Sequence, residues 1–312
     1  MPVGILPQTG NLNFSGLISS IPEFSDNAKP KGGEEQSDPC SKRGDGKLEE
    51  FEVAPHQRFV RTFMSAATPY TGMLLFHGLG SGKTCAAMQV AEETFNALAR
   101  NGTPRRTFIV AAPNLQAQFK SALYDPEKLQ NINGVWRLPG CVSSELLAEA
   151  LPDPKSNETK ESILKNLDRA VVRRYRFVGP DQLANMVYKV LERFAGIASK
   201  QQRLAAEQRA MTEAFGHRLY IIDEAHDLRV SGPGNTKRAW DALRKIAEKA
   251  DETRVLLLTA TPVFDTASDI ISLLNLLLLN DGKPALRQAA FFTNDGKLRS
   301  DESAQKLSLI HI

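Results

Sequence analysis

Two short stretches carry groups that together could cleave a phosphoanhydride. The first is Gly78-Leu79-Gly80-Ser81-Gly82-Lys83-Thr84. Glycines let the backbone curl until its N–H groups face a single phosphate, Lys83 supplies a mobile positive charge for the β- and γ-phosphates, and the Thr84 hydroxyl offers a hard oxygen to Mg2+. The strict pattern of this kind has glycine where His77 stands; His77 reads as a loop residue rather than a catalytic base. The second stretch is Asp223-Glu224-Ala225-His226, about 140 residues downstream. There Asp223 can hold the metal while Glu224 polarises the water that attacks the γ-phosphate. Taken singly, the plain readings are a glycine turn opening a helix and a solvated acidic turn. Their company in one chain favours ATP–Mg2+ chemistry. A third stretch, Thr259-Ala260-Thr261-Pro262, places small hydroxyls where they could sense the acids, although Thr and Pro also commonly close a strand.

These groups need elements that hold them at one place. Short runs, apolar on both faces, occur at Met73–Phe76, Thr107–Ala111, Tyr175–Val178, Leu219–Ile222 and Val255–Leu258. Between them, helical patterns span Lys83–Arg100, Asn114–Leu123, Asp181–Phe194, Lys200–Phe215 and Thr236–Ala250. Such alternation predicts an α/β domain whose mainly parallel sheet is covered by helices on both faces. Ligands then gather at the carboxyl ends of the strands, which is where all three motifs fall.

The composition is that of an ordinary folded chain, with 42% hydrophobic and 24% charged residues. The richest apolar run, Ile270–Leu279, is broken by Ser272 and Asn275; it reads as a core helix, and no membrane partner is expected. Cys40, Cys85 and Cys141 are widely spaced, so neither a disulfide framework nor a zinc site is expected, and a reducing compartment fits. Net charge is +3, but residues 165–210 hold ten basic and four acidic side chains. That local excess suits either a phosphate backbone or a solvated helical face. Residues 1–50 are rich in Gly, Pro, Ser and Asn and are expected to form a flexible arm.

Gly-Ser-Gly-Lys-Thr, Asp-Glu-Ala-His and Thr-Ala-Thr-Pro, in that order at strand ends, resemble motifs I, II and III of superfamily 2 helicases of the DEAH-box type. Gln57, within Val53-Ala54-Pro55-His56-Gln57, matches that family's adenine-contacting glutamine. Ala111-Ala112-Pro113-Asn114-Leu115 resembles motif Ia, which would bring Pro113 and Asn114 to a nucleic-acid backbone. Asp-Glu-Ala-His-Asp-Leu-Arg and Thr-Ala-Thr-Pro-Val-Phe-Asp are similar to the helicase-type ATPases of poxviruses and giant DNA viruses. The resemblance covers about residues 51–282 and implies a RecA-like P-loop NTPase domain over 51–285. It implies that Gly80, Ser81, Gly82, Lys83 and Thr84 bind phosphate, with Thr84 and Asp223 on Mg2+. Glu224 would be the base, and His226, Thr259 and Thr261 would couple hydrolysis to movement. Arg173, Arg174 and Arg176, beside a motif-Ib-like segment, would touch phosphates; interior packing or solvation accounts for them nearly as well.

By the same resemblance the partners are DNA or RNA and a viral RNA polymerase, and the setting is host cytoplasm or virion. A second RecA-like domain bearing arginine fingers is expected beyond this chain, with 286–306 as the start of the connecting segment. The last six residues, Leu307-Ser308-Leu309-Ile310-His311-Ile312, match the translated end of a sequencing transposon and are expected to be non-native. Three other readings stay open. One is a translocase of restriction or remodeller type that never separates strands. Another is a binding module without turnover. The last is a P-loop phosphotransferase, which would need neither the acidic nor the Thr-Ala-Thr motif.

Overall fold

The computed structural model describes residues 6–11, 13–25, 53–76, 78, 80–227, 234–261, 267–293 and 296–299. In chain order the elements begin with helices α1 (Phe14–Ser20), α2 (Pro22–Ser25) and α3 (Pro55–Phe63), then strand β1 (Gly72–Phe76), helix α4 (Lys83–Arg100) and strand β2 (Thr107–Val110). Helix α5 (Pro113–Leu123), strands β3 (Gln130–Ile132) and β4 (Val135–Arg137), and helices α6 (Ser143–Ala150) and α7 (Lys160–Arg174) follow. The rest comprises β5 (Tyr175–Val178), α8 (Pro180–Glu192), α9 (Lys200–Phe215), β6 (Leu219–Ile222), α10 (Gly234–Lys249), β7 (Arg254–Thr259), α11 (Ile270–Asn280) and α12 (Gln288–Phe291).

The main sheet has the order β1-β7-β6-β2-β5, and every pairing in it is parallel. Alternate residues of each strand point to opposite faces, which is why these runs carry no polar side. Leu75, Ile109, Ile221, Leu256 and Leu258 pack with α3 to α7. Phe108, Val110, Tyr220, Ile222 and Leu257 pack with α8 to α11. With both faces covered, the architecture is the RecA-like one expected. As expected, the run Ile270–Leu279 is a core helix, within α11. Among the described residues no helix is long and apolar enough to cross a membrane.

Two expectations need correction. Residues 14–25 were placed in a flexible arm, yet they form α1 and α2 and dock on the core. Phe24 is 1% exposed, and Phe14, Phe24, Phe59, Phe63 and Tyr70 form one aromatic cluster. Tyr70 also donates from its hydroxyl to the Pro7 carbonyl at 2.9 Å. Two phenylalanines, Phe14 and Phe24, spread among polar residues gave the arm a hydrophobic anchor that its average composition hid. The second correction concerns the cysteines: Cys85 and Cys141 are joined by a disulfide across 56 residues, with Cα atoms 5.5 Å apart. The start of α4 and the segment before α6 meet in space, and sequence spacing carries no trace of that meeting. Residues 26–52, with Cys40, and 300–312, with the presumed non-native tail, lie outside the described residues.

Candidate active site

The glycine-rich loop leaves the carboxyl end of β1 and enters α4 at Lys83. Gly80 and Gly82 have φ of 78° and 79°, a left-handed conformation that costs glycine little. Ser81 closes the turn, its hydroxyl donating to the Gly78 carbonyl at 2.7 Å. A helix start leaves its first N–H groups without intrahelical acceptors, and here they open onto the loop. His77 lies outside the described residues.

Helix α3 braces this loop from behind. Pro55 occupies its first turn, where a missing N–H costs nothing. Gln57, only 5% exposed, accepts from the Ala54 N–H at 3.0 Å and donates to the Gly82 carbonyl at 3.2 Å. A Cβ on residue 82 would sit 2.4 Å from the Gln57 amide nitrogen. His56 approaches the Ser81 carbonyl at 3.0 Å through Nε2. Gln57 therefore meets the loop backbone directly, a contact not anticipated from the sequence. His56 was missed as well, although its position just inside a proline-led helix start is a readable signal.

Asp223 and Glu224 follow the last residue of β6. The Asp223 N–H continues the ladder to Val110 at 3.0 Å. Glu224 then takes φ = 46°, a conformation uncommon for a residue with a side chain. Burial raises the Asp223 carboxyl above its ordinary value, and the Glu224 charge adds to this. A backbone hydrogen bond, the Lys83 ammonium and His226 pull the other way. Lys83 and Asp223 thus lie close enough for the charge of one to act on the other across the site.

His226 joins the ends of β6 and β7. Its Nδ1 lies 3.0 Å from the Thr259 hydroxyl and 3.2 Å from a Glu224 carboxylate oxygen. Thr259, fully buried, also accepts the Thr261 N–H at 3.1 Å. Pro262 lies outside the described residues. The register pairs Phe76 with Thr259 and Ile222 with Leu257, so the ends of β1, β7 and β6 form one continuous edge. Pro113 and Asn114 open α5 at the end of β2, exposed on that edge.

The three arginines do not join them. Residues 173 and 174 end α7, which feeds the amino end of β5, so they sit across the sheet from the glycine-rich loop. The expected phosphate contact of Arg174 is corrected. Its side chain is 7% exposed and ion-paired with Glu92 and Glu149; Tyr175 donates to the same Glu92. Arg173 is exposed but bonded to Glu149 at 2.7 Å, and Arg176 lies over the Phe108 ring at 5.4 Å.

Among the described residues no cluster of three or more His, Cys, Asp or Glu could cage a metal by itself. Thr84 and Asp223 are hard oxygen donors that suit a cation arriving on a nucleotide, since Mg2+ is usually held by one or two protein oxygens plus substrate phosphates.

Comparison with known proteins agrees with this geometry. Residues 50–264 match the family described as type III restriction enzyme, res subunit. The chain belongs to this family. A protein of Invertebrate iridescent virus 3, provisionally named helicase 087L, is 25% identical over 267 residues, covering 85% of this chain and 23% of its own length. A provisionally named ATP-dependent RNA helicase of Acanthamoeba polyphaga mimivirus is 27% identical over 240 residues, covering 75% and 34%. A provisionally named helicase of Frog virus 3, 009L, is 26% identical over 253 residues, covering 81% and 23%. The chain thus spans between about a quarter and a third of these relatives. Its matched part is the N-terminal, helicase-like ATPase domain of a superfamily 2 protein.

Proposed function

We propose that this domain binds ATP with Mg2+ and, within a longer protein, hydrolyses it in response to nucleic acid. The observation that carries the reading is the single edge formed by β1, β7 and β6, where Lys83 acts on Asp223 and His226 bridges Glu224 to Thr259. The loop N–H groups of residues 80–84 and the Lys83 ammonium bind the β- and γ-phosphates. Mg2+, held by Thr84 and Asp223, supplies charge neutralisation when bound. Glu224 takes a proton from water as its oxygen bonds to the γ-phosphorus, and the bond to the bridging oxygen breaks to leave ADP and phosphate. His226, Thr259 and Thr261 relay the state of Glu224 along the edge toward Pro113 and Asn114, which touch the nucleic-acid backbone. Gln57 contacts adenine or, through Gly82, sets the loop behind it.

The longer protein acts in viral transcription or template remodelling, beside a polymerase. The support is that the similar proteins are viral and that one is named for RNA. A second reading, a double-strand translocase that never unwinds, is favoured by the family description itself; a strand-displacement assay on the longer protein separates the two. The basic test is a titration of ATP–Mg2+ into this chain. Lys83→Ala removes charged hydrogen bonds and weakens binding by at least about tenfold. Parental affinity in that variant would overturn the proposal.

A further inference from the structure

The edge of the sheet opposite the phosphate loop concentrates positive charge. Residue pairing sets Phe108 of β2 beside Arg176 of β5 on one side and beside Tyr220 of β6 on the other. Side chains repeat every second residue along a strand. Arg106 and Arg218, two residues before Phe108 and Tyr220, therefore project on the same face as Arg176, and Arg105 adjoins them. The contacts agree. The Arg176 and Arg218 guanidinium groups lie 5.4 and 5.2 Å from the centroid of the one Phe108 ring. Arg105 and Arg106 are exposed.

Among the described residues none of these four arginines has an ion-pair partner. Two acids at this end of the sheet are otherwise engaged. Asp251 accepts from the Thr212 hydroxyl at 3.1 Å, and Glu252 lies 2.9 Å from His217. Burial chiefly holds the Arg218 guanidinium below its usual pKa; Tyr220 opposes this, and the charges of Arg105, Arg106 and Arg176 each add a smaller lowering. Uncompensated like charges gathered this closely oppose folding, and a polyanion relieves them.

We infer that Arg105, Arg106, Arg176 and Arg218 form a second nucleic-acid contact, gripping phosphodiester groups at the amino ends of β2, β5 and β6, on the far side of the sheet from the nucleotide. Planar guanidinium forks suit phosphate oxygens, which they bind in pairs. Phe108 is fully buried, so the patch offers no ring for a base to stack on. It reads backbone charge and not sequence. The choice of nucleic acid over another polyanion rests on the function proposed above. The patch itself does not.

The test measures binding of a fluorescent single-stranded oligonucleotide to the full chain without ATP, across a salt series. The parent is compared with Arg105→Gln/Arg106→Gln, whose side chains are exposed and whose thermal midpoint should match. Each lost phosphate contact lowers the slope of log affinity against log salt by about 0.7 for single strands, so the double variant should lose about 1.4. Its affinity near 0.1 M salt should fall at least about tenfold while ATP affinity stays parental. An unchanged slope overturns the inference. So does a variant effect confined to poly-glutamate of matched length, which would make the patch a protein-docking surface. Failure of the Lys83→Ala titration would remove the ATPase reading and leave this result standing.

Discussion

The Nδ1 atom of His226 lies 3.0 Å from the Thr259 hydroxyl, so a residue following β6 is fastened to the last residue of β7. Each side chain serves the other in a setting with little water. Removing either strands a buried polar group, at a cost of about 1–3 kcal/mol. A urea-unfolding cycle of His226→Ala, Thr259→Val and their combination should give a coupling of about 0.5–1.5 kcal/mol. Strict additivity would show that the contact carries no energy.

Glu224→Gln keeps the shape of the side chain and removes its basicity. ATP–Mg2+ affinity should stay near parental. In the longer protein, single-turnover phosphate release with nucleic acid present should slow by about 10²- to 10⁴-fold. A variant as fast as the parent would take the proton-accepting role away from Glu224.

Arg174 and Arg173 are neighbours with opposite surroundings. Truncating Arg174 to Ala leaves Glu92 and Glu149 facing each other's charge without their shared partner. Breaking such a buried pair costs about 3–5 kcal/mol. Arg173→Ala, whose side chain is 62% exposed, should cost less than about 1 kcal/mol. Guanidinium unfolding midpoints compare the two, and equal losses would contradict the inward placement of Arg174.

The Cys85–Cys141 bond closes a loop of 56 residues. A cross-link of that span stabilises by about 2–4 kcal/mol, chiefly by restricting the unfolded chain. A reductant should lower the unfolding midpoint of the parent accordingly and leave a Cys85→Ser/Cys141→Ser variant unmoved. Equal behaviour with and without reductant would show the thiols to be free.

Asp241 offers a pH test away from the active site. Burial alone would raise its carboxyl, but hydrogen bonds from Tyr188 at 2.5 Å and from Arg244 at 2.7 Å, with Lys245 at 3.2 Å, bring it down from 3.8 to about 2. A depressed acid stabilises the fold fully above its unfolded value and loses that contribution as pH falls through the folded one. Thermal midpoints should therefore drop between about pH 4 and pH 2. In Asp241→Asn the drop should be shallower. Parallel curves would remove Asp241 as a contributor.

What could be read from the chain tracks how local the cause is. Helices α4 and α9 and strands β5 and β6 have the bounds expected, because apolar period and caps lie within each segment. The hairpin of β3 and β4 was missed, though Asn133-Gly134 is a strong two-residue turn signal. So was α7, whose buried Ile163, Leu167, Ala170 and Arg174 fall at helical spacing. That last residue shows the reason: a charged side chain is read as outward by default, and its true partner, Glu92, is 82 residues away. The same limit hid the Cys85–Cys141 pair and the meeting of Arg106, Arg176 and Arg218, which exists only once strand order and register are known. The places of Lys83, Asp223, Glu224, His226 and Thr259 in the fold were legible because each closes or follows a strand, and strand ends converge in any sheet of this topology.

The wedge of Gln57 against Gly82 has an energetic consequence. Under the function proposed above, a loop already pinned by the preceding helix has little freedom left to surrender to a triphosphate, so capture is not taxed by ordering the receptor. A cradle set in advance in this way favours tight capture of the ligand that the proposed function requires.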